Sequence, residues 1–217
     1  MISVCEYGRC RTGKRELFRA LLARTALVRC GLKPAEIYQV PHCCQISLTA
    51  QEPPRICRQL PDILAHFGLP WRVLRNREGQ SLVFFYDPEL LTQTLNDPLV
   101  REYLESVGYG CMTGLDSWLD ALCERFAQPG FPHEIGLFLG YPLKDVKGFM
   151  QPGASPVYCG AWKVYGSLEP SLSIMNRFRQ VTRMAEIIVD QADNWDLCVE
   201  RITQLKNYYK EYESCLI

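Results

Sequence analysis

The sequence predicts a mostly helical α+β fold, a single domain whose helices pack on a small sheet of about four strands that includes one β-hairpin. Three observations carry this. Apolar residues recur at helical spacing over several segments of the 217-residue chain. Residues 71–86, rich in Val, Phe and Leu, flank an Asn-Arg-Glu-Gly-Gln break, which is the pattern of a hairpin. Strand candidates do not alternate regularly with helices, and neither GxGxxG nor GxxxxGKS/T occurs, which argues against a doubly wound nucleotide fold.

Taken in order, residues 1–13 are a short lead-in. Residues 14–30 form a helix, with Leu17, Leu21, Thr25 and Val28 near one face, Phe18, Leu22 and Ala26 beside it, and Gly31 closing it. Residues 35–40 follow Pro34 as a strand that ends at Pro41, and 42–54 read as loop. Residues 55–67 are helical in pattern through Ile56, Leu60, Ile63, Leu64 and Phe67, with Pro61 marking a kink or the true start. The hairpin strands are 71–75 and 81–86, and the apolar residues on both sides of the second strand predict that both its faces are covered.

Asp87-Pro88 and Asp97-Pro98 each join a side-chain acceptor to a proline at the first helical position, so helices follow at 88–95 and 98–107. Thr113 to Asp116 resembles a capping box that opens a helix over 115–126, with Leu115, Trp118, Leu119, Leu122 and Phe126 inward. Residues 157–165 read as a strand or strand pair broken at Gly160, the last contribution to the sheet. A helix over 170–189 carries Leu172, Met175, Phe178, Ala185 and Ile188 on a stripe. Asp193 or Asn194 caps a final helix with Trp195, Cys198, Ile202, Leu205, Tyr209 and Tyr212. On this reading residues 1–192 are the domain, and 193–217 are a C-terminal helix packed on it or extending from it.

The densest run of specific residues is 131–150, FPHEIGLFLGYPLKDVKGFM. Pro132 suits a first helical position, Gly140 suits a left-handed close, and Pro142 opens a second short helix with Leu143, Val146 and Phe149 or Met150 on one face. His133 and Glu134 fall in the first turn, where a carboxylate complements the helix dipole. Tyr158, Trp162, Lys163 and Tyr165 form an aromatic-and-lysine strand. Its Trp162 and Val164 face should be core, and its Lys163 and Tyr165 face is either an ordinary solvated face or one wall of a cleft beside Glu134 and Tyr141.

Composition excludes several classes. Twenty-four basic residues balance twenty-four acidic ones, and no basic stripe occurs, so nucleic acid is not a partner. No apolar run approaches the ~18 residues of a membrane span. The N-terminal residues lack the layout of a secretory signal, which implies the cytoplasm, where eleven cysteines are reduced thiols. A balanced net charge allows self-association and leaves the oligomeric state open.

The expected site is therefore His133, Glu134, Tyr141, Lys163 and Tyr165, in a soluble accessory or binding protein that recognises a small molecule or a protein partner. An alternative is an enzyme using His133 with Glu134, or with a cysteine such as Cys111 or Cys159, for acid–base or thiol chemistry. A weaker set, His42, Cys43, Cys44 and Cys57, offers metal-ligating atoms at poor spacing, since no CxxC occurs. No cofactor follows from these residues.

The segments HEIGLFLGYPL (134–143 with His133) and CGAWKVYGS (159–167), together with GLKPAEIY (31–38) and RVLRNREGQSLVFFYDPELL (72–91), resemble an uncharacterised bacterial family catalogued as domain of unknown function 3793. The resemblance spans roughly residues 16–190. It implies one shared domain and, through the company such proteins keep, a metal- or redox-linked accessory role in iron or flavodoxin metabolism. The segment VPHCCQISLTAQEPP (40–54) departs from the family pattern, so His42, Cys43 and Cys44 gain nothing from it.

Overall fold

Residues 14–40, 64, 67–77, 80–191 and 194–214 are described in a computed structural model of the chain. Among them the fold is mostly helical α+β, as expected, with eight helices and two small antiparallel sheets. The main sheet has three strands, β1 (Ala35–Val40), β2 (Trp71–Arg77) and β3 (Gln80–Tyr86), in the order β1-β3-β2. The hairpin strands run further than predicted, to Arg77 and from Gln80. The pairing shifts register between Val73 and Arg75, which opposes one extra residue, Leu74, to the partner strand.

Central strand β3 is covered on both faces, and this divides the core in two. Val83 and Phe85 face helix α1 (Lys14–Arg29), helix α7 (Glu169–Asp190) and helix α8 (Trp195–Ser214). Phe84, with Ala35 and Leu74, faces the helices of the middle of the chain. Those are α2 (Pro88–Asn96), α3 (Pro98–Ser106), α4 (Leu115–Ala127) and the two short helices α5 (Ile135–Phe138) and α6 (Leu143–Met150). Phe84 and Phe85 are both fully buried, on opposite faces, which is the alternation a two-sided strand requires. Each such side chain contributes roughly 1.5–3 kcal/mol of transfer free energy.

The proline-led helices start where their acceptors predict. Asp87 Oδ1 accepts from the Glu89 and Leu90 amides, both at 3.0 Å, and Asp97 Oδ1 accepts from Leu99 and Val100 at 2.9 and 3.1 Å. Asn194 caps α8, accepting from the Asp196 and Leu197 amides. The box before α4 is displaced by one residue. Gly114 is the cap, and Ser117 Oγ accepts its N–H at 3.2 Å and donates to its carbonyl at 2.7 Å. Asp116 is instead turned toward Arg72 of β2, 3.2 Å away, where a cation competes for it.

Along α7, Met175, Phe178 and Ala185 are buried as expected. Ser171, Val181 and Val189 complete the stripe, and Leu172 and Ile188 flank it half-buried. Helix α8 adds Cys198, Ile202 and Leu205 to the core that α1 and α7 form with each other. The fourth strand of the predicted sheet is not part of that sheet. Residues 157–165 form a separate ribbon, β4 (Tyr158–Cys159) with β5 (Lys163–Val164), paired Tyr158↔Val164 and Cys159↔Lys163. Hydrogen bonds from the Trp162 indole and the Tyr165 amide to Asp145 of α6 anchor it in place of pairing with the main sheet. The predicted loop 42–54, most of the helix over 55–67, and the side chains of Tyr209 and Tyr212 lie outside the described residues.

Candidate functional site

The run 131–150 folds into an elbow, and its backbone bonds explain the shape. Helix α5 ends in a Schellman close, with Gly140 N donating to Leu137 O and Tyr141 N to Gly136 O at 2.8 Å. Gly140 takes the required left-handed conformation at φ 76°. It must also be glycine for space, because a Cβ there would meet Pro34 Cδ at 2.6 Å. This close throws Tyr141 outward before Pro142 turns the chain into α6. Helix α5 starts at Ile135, later than the Pro132 start the sequence suggests, because the Pro132 and His133 carbonyls accept in a turn that precedes it.

Asp145 on α6 is the polar centre of the region. It is 2% exposed and its carboxylate accepts four hydrogen bonds. Oδ1 takes Lys144 Nζ at 2.7 Å and the Tyr165 amide at 2.9 Å. Oδ2 takes Trp162 Nε1 at 2.8 Å and Ser171 Oγ at 2.6 Å. Burial alone would raise its pKa, but the Lys144 ammonium, Ser171, the Tyr165 amide and Trp162 together hold it below the usual carboxylate range. The network ties α6, the ribbon and α7 to one atom group, and it fixes the indole of Trp162 against the ring of Tyr141. These two rings stack at 4.7 Å between centroids and 19° between planes.

A cavity of about 340 Å³ opens between this stack and a second aromatic group. That group is Phe131, His133 and Phe149, with His133 4.8 Å from Phe149 and 5.4 Å from Phe131. Ile37 of β1, with Ile135, Leu139 and Val146, forms an apolar floor, and Lys163 stands at the side with Nζ 5.4 Å from the Phe149 ring. Gly136 gives the cavity room, since a Cβ there would meet Val146 Cγ2 at 2.9 Å and Tyr141 Cδ2 at 3.2 Å.

Three of the five expected site residues, His133, Tyr141 and Lys163, line this cavity. The other two do not. Glu134 is 2% exposed and turned into the core, where Arg125 Nε donates to it at 2.9 Å and Tyr109 Oη at 3.4 Å. Consecutive residues diverge in direction in a helical turn, so His133 faces the cavity while Glu134 faces α4. Tyr165 is buried, and its ring packs where a Cβ on Gly148 would lie. The indole of Trp162, assigned to the core by alternation, packs against the core at Phe178 and also lines the cavity, because Asp145 sets its direction. The sequence pattern does not mark Asp145, Phe131 or Phe149 as site residues. The only available signal was the aromatic density of the run itself.

Tyr141 has its phenol pushed up to about 12, first by burial and then by the Glu36 carboxylate. His133 makes ring contacts only, with no carboxylate or thiol hydrogen-bonded to it among the described residues. Cys111 and Cys159 are exposed thiols that do not line the cavity, and Cys30 and Cys198 are buried. No group of three His, Cys, Asp or Glu side chains that could hold a metal occurs among the described residues. His42, Cys43, Cys44 and Cys57 lie outside them. No helix among the described residues is long and apolar enough to cross a membrane.

A family model described as "Protein of unknown function (DUF3793)" matches residues 21–197, and the chain belongs to that family. No curated protein and no solved structure matches the chain.

Proposed function

We propose that this member of the DUF3793 family is a binding protein that takes a small, flat, largely apolar molecule into the cavity between the Tyr141–Trp162 stack and Phe149. One observation carries the reading: five rings, those of Phe131, His133, Tyr141, Phe149 and Trp162, line a single space of about 340 Å³. That volume lies within the range of small-molecule pockets, which are mostly apolar with a few fixed polar groups. The four-fold bonding of Asp145 supports it, because it holds one ring of the wall in a set position before any ligand arrives. Lys163 adds a cation at the cavity edge and favours a ligand with an acceptor or acidic edge. A reducing cytoplasm is the compartment we assign, in keeping with five unpaired cysteines among the described residues.

The test is saturation-transfer NMR on the full chain with indole-sized aromatic acids and their uncharged analogues. Binding to the native chain that is lost in Phe149→Ala and in Trp162→Ala, both folded by circular dichroism, is expected. Lys163→Met should weaken the acids more than the neutral compounds. Binding that survives both aromatic substitutions, or no binding to the native chain, sinks the reading.

A further inference from the structure

Behind the Tyr141–Trp162 stack lies a second and larger cleft, about 800 Å³, bounded by α1, β1 and α7. It shares those two rings with the aromatic cavity but is otherwise made of different residues. Four cationic side chains line it, Arg24, Lys33, Arg179 and Arg183, against two carboxylates, Glu36 and Glu186. Two positive charges are thus in excess. Arg179, Thr182, Arg183 and Glu186 share one face of α7, since they are three, four and seven residues apart. Phe178 and Met175 supply apolar surface beneath them.

The deepest cation is the informative one. Lys33 is 4% exposed, and one of its three N–H groups is taken by Glu36 Oε2 at 2.7 Å. Around the rest of the ammonium lie two π faces, Tyr141 at 5.4 Å and Phe178 at 5.9 Å. Glu36 is itself occupied, accepting from Lys33 and from the Ile37 amide at 3.1 Å, with Arg24 at 3.6 Å. Among the described residues no second acceptor reaches this ammonium, which otherwise faces the two rings and has donors to spare for a ligand. Arg183 likewise has no carboxylate within ion-pair distance among the described residues. Arg24 and Arg183 stand on the two helices that flank the cleft.

We propose that this cleft is a second binding site, for a small organic dianion of the oxyanion class with a flat apolar part. The oxygens would be held by Lys33 from below and by the arginines of α1 and α7 from the sides, and the flat part would lie on Trp162. Arginine forks match both phosphate and carboxylate oxygens, and two oxyanion charges neutralise the excess.

The experiment is isothermal titration of the full chain with phenyl phosphate, phthalate and uncharged phenol. Both anions should bind more tightly than phenol, and the affinity should fall as salt rises. Tighter phenyl phosphate assigns a phosphomonoester, and tighter phthalate assigns a dicarboxylate. The doubly substituted Arg179→Ala, Arg183→Ala chain changes exposed positions only. It should lose about tenfold or more in affinity for the anions, the loss expected for one charge-assisted bond. Lys33→Met should abolish binding, but it strands Glu36, so the arginine variant decides. Absent anion binding, affinity no better than that of phenol, or an unchanged affinity in the arginine variant overturns the proposal. Neither arginine lines the aromatic cavity, so this failure and the failure of the cavity reading are separate results.

Discussion

Asp145→Asn tests the claim that one carboxylate holds the aromatic wall. The carboxylate accepts from four donors, two on each oxygen. An amide keeps one acceptor oxygen and turns an NH2 toward the other pair. Facing Trp162 and Ser171, the serine hydroxyl can rotate to accept but the indole N–H cannot. Facing Lys144 and Tyr165, neither donor can accept. At least one buried donor is therefore stranded, and the half-buried Lys144 ammonium loses its counter-charge. These terms set the loss at about 3 kcal/mol, a large part of the ~5–15 kcal/mol that holds a domain together. For a chain of this size that is roughly 6–12 °C in melting temperature.

Urea unfolding at neutral pH, followed by near-ultraviolet circular dichroism, measures the loss. The pH dependence supplies a second check. Asp145 has its folded pKa depressed below 3.8, so its contribution is present above that value and is lost as pH falls through the folded pKa. The gap between native and variant chains should therefore hold above about pH 5 and narrow on acidification from there to about pH 2. A gap below about 1 kcal/mol at neutral pH would refute the reasoning, as would one that stays constant over that range.

Other substitutions test neighbouring parts. Gly148→Ala should destabilise by about 1–3 kcal/mol in the same unfolding assay, because its Cβ would overlap the buried Tyr165 ring. Gly136→Ala should lower the melting temperature less than Gly148→Ala, because its Cβ overlaps Val146 and Tyr141 less deeply, and should weaken aromatic binding by shrinking the cavity. In native alkylation followed by peptide mass mapping, exposed Cys111 and Cys159 should react before Cys30. Burial pushes the Cys30 thiol up to about 11, so its thiolate share near pH 8 is on the order of 0.001. Ultraviolet titration should show a tyrosine step near pH 12 that is missing from Tyr141→Phe. Because that folded pKa is raised, its stability contribution is intact below 10 and is lost as pH rises through 12.

Much of this molecule follows from local rules. Asp87-Pro88 and Asp97-Pro98 start helices because an acceptor and a fixed φ act within four residues, whatever surrounds them. Gly140 closes α5, and the two-sided strand β3 reads as buried, for equally local reasons. The same rules located the run 131–150 that forms one side of the cavity. They could not say where a side chain points once a distant group competes for it. His133 and Glu134 are adjacent in the sequence, but Arg125 draws the glutamate into the core and leaves the histidine in the cavity. Alternation put Trp162 against the core, where it does pack, but only Asp145, seventeen residues earlier, makes the same indole a cavity wall. Lys33 and Glu36 look like ordinary charges at a strand entrance, and only the packing of α7 over them makes a buried pair facing a cleft. Helix ends and strand faces are set by interactions a few residues long, which the order of residues records. The direction of a buried polar side chain is set by partners that only the packed chain brings within hydrogen-bond reach.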